Sequence, residues 1–402
     1  GASDNTSYTT EDFLAFLRDG SGRTPGYDYH CIGVGRIPVN SATEARATVD
    51  KIRTYMADND KDDWKNRIVL ATDDGDNRNH IDQMEKAHNL MIATPGGSQS
   101  IYHKIHVDAF PLIDNVAKEA HDRMMRLLNQ GAMWWWYIGH ATTVSWTGEG
   151  LLTMHDVNNV NFKHMPMLYA ATCSFLKWDD ISSSGAETMF FNPKGIIGAI
   201  AATRPVYISM NENMSLDMAQ AVTPREADGR SLALGEILRR SKNMRPKAGD
   251  TNKLRYALLG DPALRLATPI QPTAIESIAG QPLDPETPPV IKAHQSLTIE
   301  GAVLTPEGDV DTAFNGIAGH TIYVTLNHRN EAKDSIIEEM GERLFIGRGE
   351  VKDGRFSLKV DMPTEIASNY RPATLNIYAY DTSTGRDAVA VTRGFYVYGF
   401  DD

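Results

Sequence analysis

The chain has 402 residues, 41% of them hydrophobic and 23% charged, which is room for two or three domains with a sizeable core. Its formal net charge of -12 argues against general nucleic-acid binding, because phosphate contacts need clustered Lys and Arg and no basic run is present. Only Cys31 and Cys173 are available for sulfur chemistry, so a disulfide scaffold is excluded. No apolar run reaches the ~18 residues of a membrane-spanning helix, and no signal-peptide pattern opens the chain.

Taken in order, a polar start holds one short amphipathic patch, DFLAFL, and YHCIGVGRIPV then predicts a buried strand ending at Gly35 and Arg36. The GVG within it lacks the third glycine of a dinucleotide fingerprint. SATEARATVDKIRTYMAD predicts a helix, with Ser41 and Glu44 as a capping box and Ala45, Val49, Ile52 and Met56 at helical spacing. NRIVLATDD predicts a buried strand that runs into Asp73, Asp74, Gly75 and Asp76. HIDQMEKAHNLMI predicts a helix, IYHKIHVDAF a short strand or extended loop, and NVAKEAHDRMMRLLNQG a helix stopped by Gly131.

Two apolar runs follow, MWWWYI and MLYAAT, with the length and bounding residues of buried strands; the first ends at Gly139-His140 and the second at Cys173-Ser174. ISSSGAETMFFNPKG predicts a helix, IIGAIAAT a fifth apolar strand, NMSLDMAQAV and SLALGEILRRSKNM two helices, and YALLGDPALRL a last strand. Strands alternating with helices imply an α/β fold, a mostly parallel sheet with helices on both faces. We assign this unit to residues 1–268 and read it as a piece of a longer exported protein, truncated at its N-terminal side. A proline-rich linker is expected over 269–290, and an all-β, immunoglobulin-like sandwich over 291–402, where short alternating segments are separated by Asn, Gly, Asp and Pro turns.

The carboxyl ends of parallel strands share one edge of a sheet, and sites form there. His140 and Cys173 each stand just past such an end. A thiol needs a neighbouring base or a lowered pKa to become a nucleophile, so the pair points to thiolate attack on a carbonyl with imidazole as base and then acid. The amides of Cys173 and of Ala141, directly after the histidine, are the natural oxyanion donors. Asp73, Asp74 and Asp76 form an acidic turn suited to orienting the imidazole, holding Ca²⁺ or meeting a basic substrate group. DDGDN lacks the spacing of an EF-hand loop, and His80, His88, His103 and His106 do not have the spacing of a metal pair. His155 and His164 are expected in solvent, and Trp134 to Trp136 in the core.

At these residues the chain resembles the gingipain family of cysteine peptidases, of the caspase-like clan. The resemblance is carried by GRIPVNSATEARATVDKIRTY, YIGHATTVSW, MLYAATCS, GIIGAIAATR and LLGDPALRL, and by the separation of His140 from Cys173. Within the family it is closest to the surface peptidases of the type IX secretion system (the PorU type), through ATDDGDNRNH, ATCSFLKWDD, AATRPVY and the tail segment RLFIGRGEVKDGRFSLKVDMP. The resemblance implies Cys173 as nucleophile, His140 as general base and acid, Asp74 (with Asp73 as fallback) orienting the histidine, and Ala141 and Cys173 as the oxyanion hole. It places His80, Thr203, Arg204 and Tyr207 along the substrate pocket and does not imply Arg specificity. Ala141 departs from the family, which carries Gly there. The implied partners are polypeptides, namely C-terminal domains of secreted cargo, with lipopolysaccharide amines as acceptors and secretion-system proteins alongside. The implied location is the outer surface of a bacterium or its surroundings. No cofactor or catalytic metal is expected, with a structural calcium left open.

Overall fold

The computed structural model describes residues 7–57, 60–245, 252–330, 335–363 and 370–399. In chain order the first unit runs α1 (Ala42–Met56), β1 (Arg67–Thr72), α2 (Asn79–Ile92), α3 (Pro95–Ser98), β2 (Ile101–His106), α4 (Lys118–Gln130), β3 (Trp134–Ile138), α5 (Met154–Asn159), β4 (Met167–Ala171), α6 (Gly185–Phe191), β5 (Gly198–Ala202), α7 (Ile208–Val222), α8 (Leu234–Met244), α9 (Asn252–Arg255) and β6 (Tyr256–Leu259). The strands form one sheet in the order β2-β1-β3-β4-β5-β6, parallel except for β6 against β5.

All five residues of β3 and of β4 are buried because the sheet is covered on both faces. Successive side chains point to opposite faces. The tryptophan run therefore divides: Trp134 and Trp136 join Ile68, Leu70, Tyr169 and Met218 on one face, and Trp135 joins Val69, Leu168, Met124 and Phe190 on the other. These side chains are core, as the sequence implies.

Two local expectations change. The segment around Gly33 and Gly35 makes no core strand; it pairs through a single bridge, Arg36 with Leu259, and Ile32 stays exposed. A Cβ on Gly33 would strike the backbone of Gly235, and one on Gly35 would strike Gly260 O, so these glycines serve close backbone packing. Ser41 caps helix α1 as expected by accepting Glu44 N–H, but the Glu44 carboxylate accepts Asn40 N–H and not the Ser41 N–H that would close a capping box. Its inward residues, however, are Thr48, Lys51, Ile52 and Tyr55, while Val49 and Met56 face solvent. Lys51 can lie inside because its ammonium donates to the carbonyls of Phe190, Asn192 and Ile196 at 2.5, 2.8 and 2.7 Å.

The second unit comprises β7 (Gln271–Ile278), β8 (Gln281–Pro282), β9 (Val290–Lys292), β10 (Ser296–Val303), β11 (Gly316–Asn330), β12 (Ser335–Lys352), β13 (Arg355–Asp361), β14 (Arg371–Asp381) and β15 (Asp387–Tyr398). Their order is β8-β7-β10-β13-β12-β11-β14-β15-β9, and β7 also pairs with β15, which closes a barrel-like sandwich. The stretch read as a linker is thus part of this unit: β7 aligns Ile278 with Ile299 and Thr273 with Val303 of β10. The two units meet through polar contacts at the amino-terminal end of β1. Lys65 pairs with Asp387 at 3.1 Å, and Asn66 Nδ2 donates to Asn376 at 2.8 Å.

Candidate active site

In parallel register Thr72 pairs with Ile138 and Ile138 with Ala171, so β1, β3 and β4 end on one line. His140 and Cys173 each lie two residues beyond the paired residues Ile138 and Ala171. Neighbouring strands are about 4.8 Å apart, so this register brings the two residues to one edge. The strand order reverses direction at β1, so the edge next to β3 is a topological switch point, where sites form in open α/β sheets.

The backbone of His140 is clamped from both sides. Its N–H donates to Asp73 Oδ2 at 2.9 Å, and its carbonyl accepts the Tyr137 hydroxyl at 2.6 Å. Gly139 permits this closeness, because a Cβ there would run into Asp73 Cβ and Tyr137 Oη. Asp73 is 3% exposed, and burial pushes its carboxyl up to about 6 despite the His140 N–H it accepts. The loop after the histidine is anchored by Trp146, fully buried and stacked on Tyr137 at 4.1 Å.

The imidazole meets Asp76. After Gly75 at φ 71°, the residues Asp76, Asn77 and Arg78 are all left-handed, at φ 43°, 52° and 67°. This turn brings Asp76 Oδ2 to 2.6 Å from His140 Nε2 and 3.1 Å from His80 Nε2. The His140 hydrogen bond holds the Asp76 carboxyl below its ordinary range. Asp74, expected in this role, stands apart: its N–H donates to Asp73 Oδ1 at 3.0 Å, and its carboxylate converges with those of Asp73 and Glu149. The difference comes from the left-handed turn, whose path the sequence does not display. With Nε2 hydrogen-bonded to a carboxylate, the Nδ1 side of the ring is left to receive a proton.

Cys173 is half-buried, and its Sγ accepts the Val206 N–H at 3.5 Å and lies 3.7 Å from the Val206 carbonyl oxygen. Ser174, directly after it, is left-handed at φ 55°, a conformation uncommon outside glycine and found at functional turns. Among the described residues no hydrogen bond joins the Cys173 and His140 side chains, as is common for catalytic pairs in enzymes without substrate. The bridge between Ala141 and Trp146 is carried by Thr142 N–H on Ser145 O and Thr147 N–H on His140 O. It therefore does not use the Ala141 amide, and the methyl group of Ala141 takes no hydrogen-bond donor away.

The expected pocket residues separate. His80 is buried against His140, ring centroids 5.2 Å apart and nearly perpendicular, and burial lowers its pKa. Thr203 is fully buried and its hydroxyl donates to Thr9 O at 2.8 Å. Arg204 is buried and forks onto Asp179, which holds that carboxyl at about 2. Tyr207 alone of the four is exposed, one residue past Val206. His155 is exposed, whereas His164, expected in solvent, is buried in a stack on Trp64 at 4.3 Å and pairs with Asp60. Asp76 is one of three acidic candidates for orienting the imidazole but not the one chosen from the sequence, and the roles of Val206 and Tyr137 were not assigned from it. The Gly-Asp-Asn run was the one signal for the first.

Comparison with known proteins bears on this arrangement. The description of peptidase family C25 matches residues 3–267. A search of curated proteins finds no match. Among solved structures, the Arg-specific cysteine proteinase gingipain R (RGPB) aligns over 97% of this chain and 79% of its own, at 15% identity and a TM-score of 0.53. The complex of Porphyromonas gingivalis RgpB pro- and mature domains aligns over 97% and 80%, at 14% identity and 0.52. Dimeric latent PorU from Porphyromonas gingivalis is matched over 100% of this chain but 33% of its own, at 21% identity and 0.37. At these identities the first two likenesses show a shared fold.

Proposed function

Since the chain belongs to peptidase family C25, the gingipain family, and is a cysteine peptidase, we propose that Cys173 and His140 are its catalytic dyad. The supporting observation is that both lie two residues past a directly paired position on adjacent parallel strands. The thiol proton passes to His140 Nδ1, Cys173 Sγ bonds to the scissile carbonyl carbon, and the amides of Ala141 and Cys173 receive the oxyanion. Collapse breaks the peptide C–N bond, the leaving amine takes the proton from His140, and a thioester to Cys173 remains. Attack by water gives hydrolysis, and attack by an amine gives transfer. Asp76 orients the imidazole, and Tyr207 borders the approach to Cys173.

The substrate reading rests on the sequence resemblance to surface peptidases of the type IX secretion system. It is removal of C-terminal sorting domains from exported cargo at the bacterial surface, with a lipopolysaccharide amine as acceptor in the transfer branch. Among the described residues no helix is long and apolar enough to cross a membrane. The test is cleavage of a cargo protein carrying such a domain. Cys173→Ala should abolish it, and cleavage that persists contradicts the mechanism. A library of short peptides separates this reading from a broad endopeptidase, because a sorting-domain peptidase should leave most of them intact.

A further inference from the structure

The same edge of the sheet gathers more nitrogen and oxygen donors than a dyad needs. Asp73, His80 and His140 each present a ligand atom, and these atoms lie within 4.8 Å of one another. Asp76 Oδ2 sits between the two imidazoles, in contact with both Nε2 atoms. Asp73, Asp76 and His80 follow one another from the end of β1 through the left-handed turn to the first turn of α2, and His140 is brought to them from the end of β3 by the register of the sheet. Two imidazoles with carboxylates are the donor set of zinc and its borderline neighbours, whereas Ca²⁺ and Mg²⁺ take oxygen.

From this geometry we infer that Asp73, Asp76, His80 and His140 form a binding site for a zinc-class divalent cation, and that filling it withdraws the His140 imidazole from Cys173. A tetrahedral zinc holds its ligand atoms roughly 3.5 Å apart, so Asp73, His80 and His140 need shift only modestly, while Asp76 Oδ2 must draw back from the two Nε2 atoms. The groups that have to move are able to: the side chains of His140 and Asp76 are 67% and 42% exposed. His80 is the fixed post, with its side chain 6% exposed. Ligation through Nε2 puts the proton on Nδ1 and replaces the His80 hydrogen bond to Asp76 with a bond to the metal.

The inhibitory consequence rests on the catalytic reading of His140 given above; the binding itself does not. The experiment uses the full chain as Cys173→Ala, so that thiolate cannot supply the ligand, with Co²⁺ as the spectroscopic probe. The expected result is one Co²⁺ per chain with the intense visible bands of a tetrahedral nitrogen–oxygen site and no sulfur charge-transfer band, displaced by Zn²⁺ and by a chelator. His80→Asn and Asp76→Asn, checked for folding by circular dichroism, should each weaken binding at least about tenfold. Loss of Co²⁺ binding in Cys173→Ala, or binding unchanged in both of the other variants, overturns the site. In the active wild type Zn²⁺ should inhibit reversibly, and undiminished activity with the site filled overturns the withdrawal of His140. A chain that binds Co²⁺ as described but is inactive when metal-free would leave the site standing and remove the proposed function instead.

Discussion

Replacing Asp76 by Asn keeps the shape of the side chain and removes its charge, which makes it a sharp probe of how His140 is held. The Nε2 to Oδ2 distance is 2.6 Å, in the range of charge-assisted hydrogen bonds, which contribute about 1.5–3 kcal/mol. The pair is far from buried, with the two side chains 67% and 42% exposed, so solvent screening reduces that figure. A value of about 1–1.5 kcal/mol corresponds to roughly a 5- to 13-fold loss in kcat/KM. The assay is steady-state cleavage of a cargo carrying its C-terminal domain, with Asp74→Asn beside it. Asp74→Asn should lower kcat/KM by less than Asp76→Asn, since it is Asp76 that hydrogen-bonds the imidazole. A larger loss in Asp74→Asn than in Asp76→Asn would refute the assignment of the orienting carboxylate.

Further outcomes follow from the same contacts. Gly139→Ala should displace the His140 backbone from Asp73 and Tyr137; a shift near 1 Å costs about 100-fold in rate, read as kcat against a thermal melt that shows the chain still folded. Asp12→Ala should destabilise by about 3–5 kcal/mol in denaturant unfolding, because buried Lys242 donates to Asp12 at 2.5 Å and would keep the Tyr256 carbonyl but lose its counter-charge. The protein should lose stability as pH falls from about 6.5 toward 3. His88 is held at about 3 and His320 at about 4 by burial, and His103 lies well below the ordinary value, so the unfolded chain binds protons the folded one refuses. In His88→Phe the decline in melting temperature across that window should be shallower, and an unchanged slope would show that His88 does not drive it.

The legible parts of the fold were those fixed by continuous burial. Strands β1, β3, β4 and β5 are covered on both faces, so each reads as an unbroken apolar run, and His140 and Cys173 stand out at their ends. What escaped the sequence depends on contacts between distant segments. Lys51 lies in the core because three carbonyls more than a hundred positions away accept its protons, which shifts the buried face of α1 from the apolar stripe its sequence displays. The glycines at 33 and 35 make room for α8 and for the turn after β6, a need that resembles strand composition when read locally. Segment 269–290 is rich in proline, yet β7 within it completes the closure of the sandwich against β15. At the site the acidic turn was evident, but which carboxylate reaches the imidazole is decided by three consecutive left-handed residues. Val206, which meets the thiol, has no chemical signature in sequence because only its backbone takes part.

The central claim is that His140 activates Cys173, and the two cysteines of this chain provide an internal comparison. Cys31 is the more exposed and Cys173 is half-buried, so access alone would make Cys31 react faster. The decisive measurement is the alkylation rate of each cysteine by iodoacetamide near neutral pH, resolved by peptide mass spectrometry, in the wild type and in His140→Ala. The account predicts that Cys173 reacts faster than Cys31 and loses that advantage in His140→Ala. Faster reaction at Cys31, or a Cys173 rate untouched by removal of the imidazole, would contradict it.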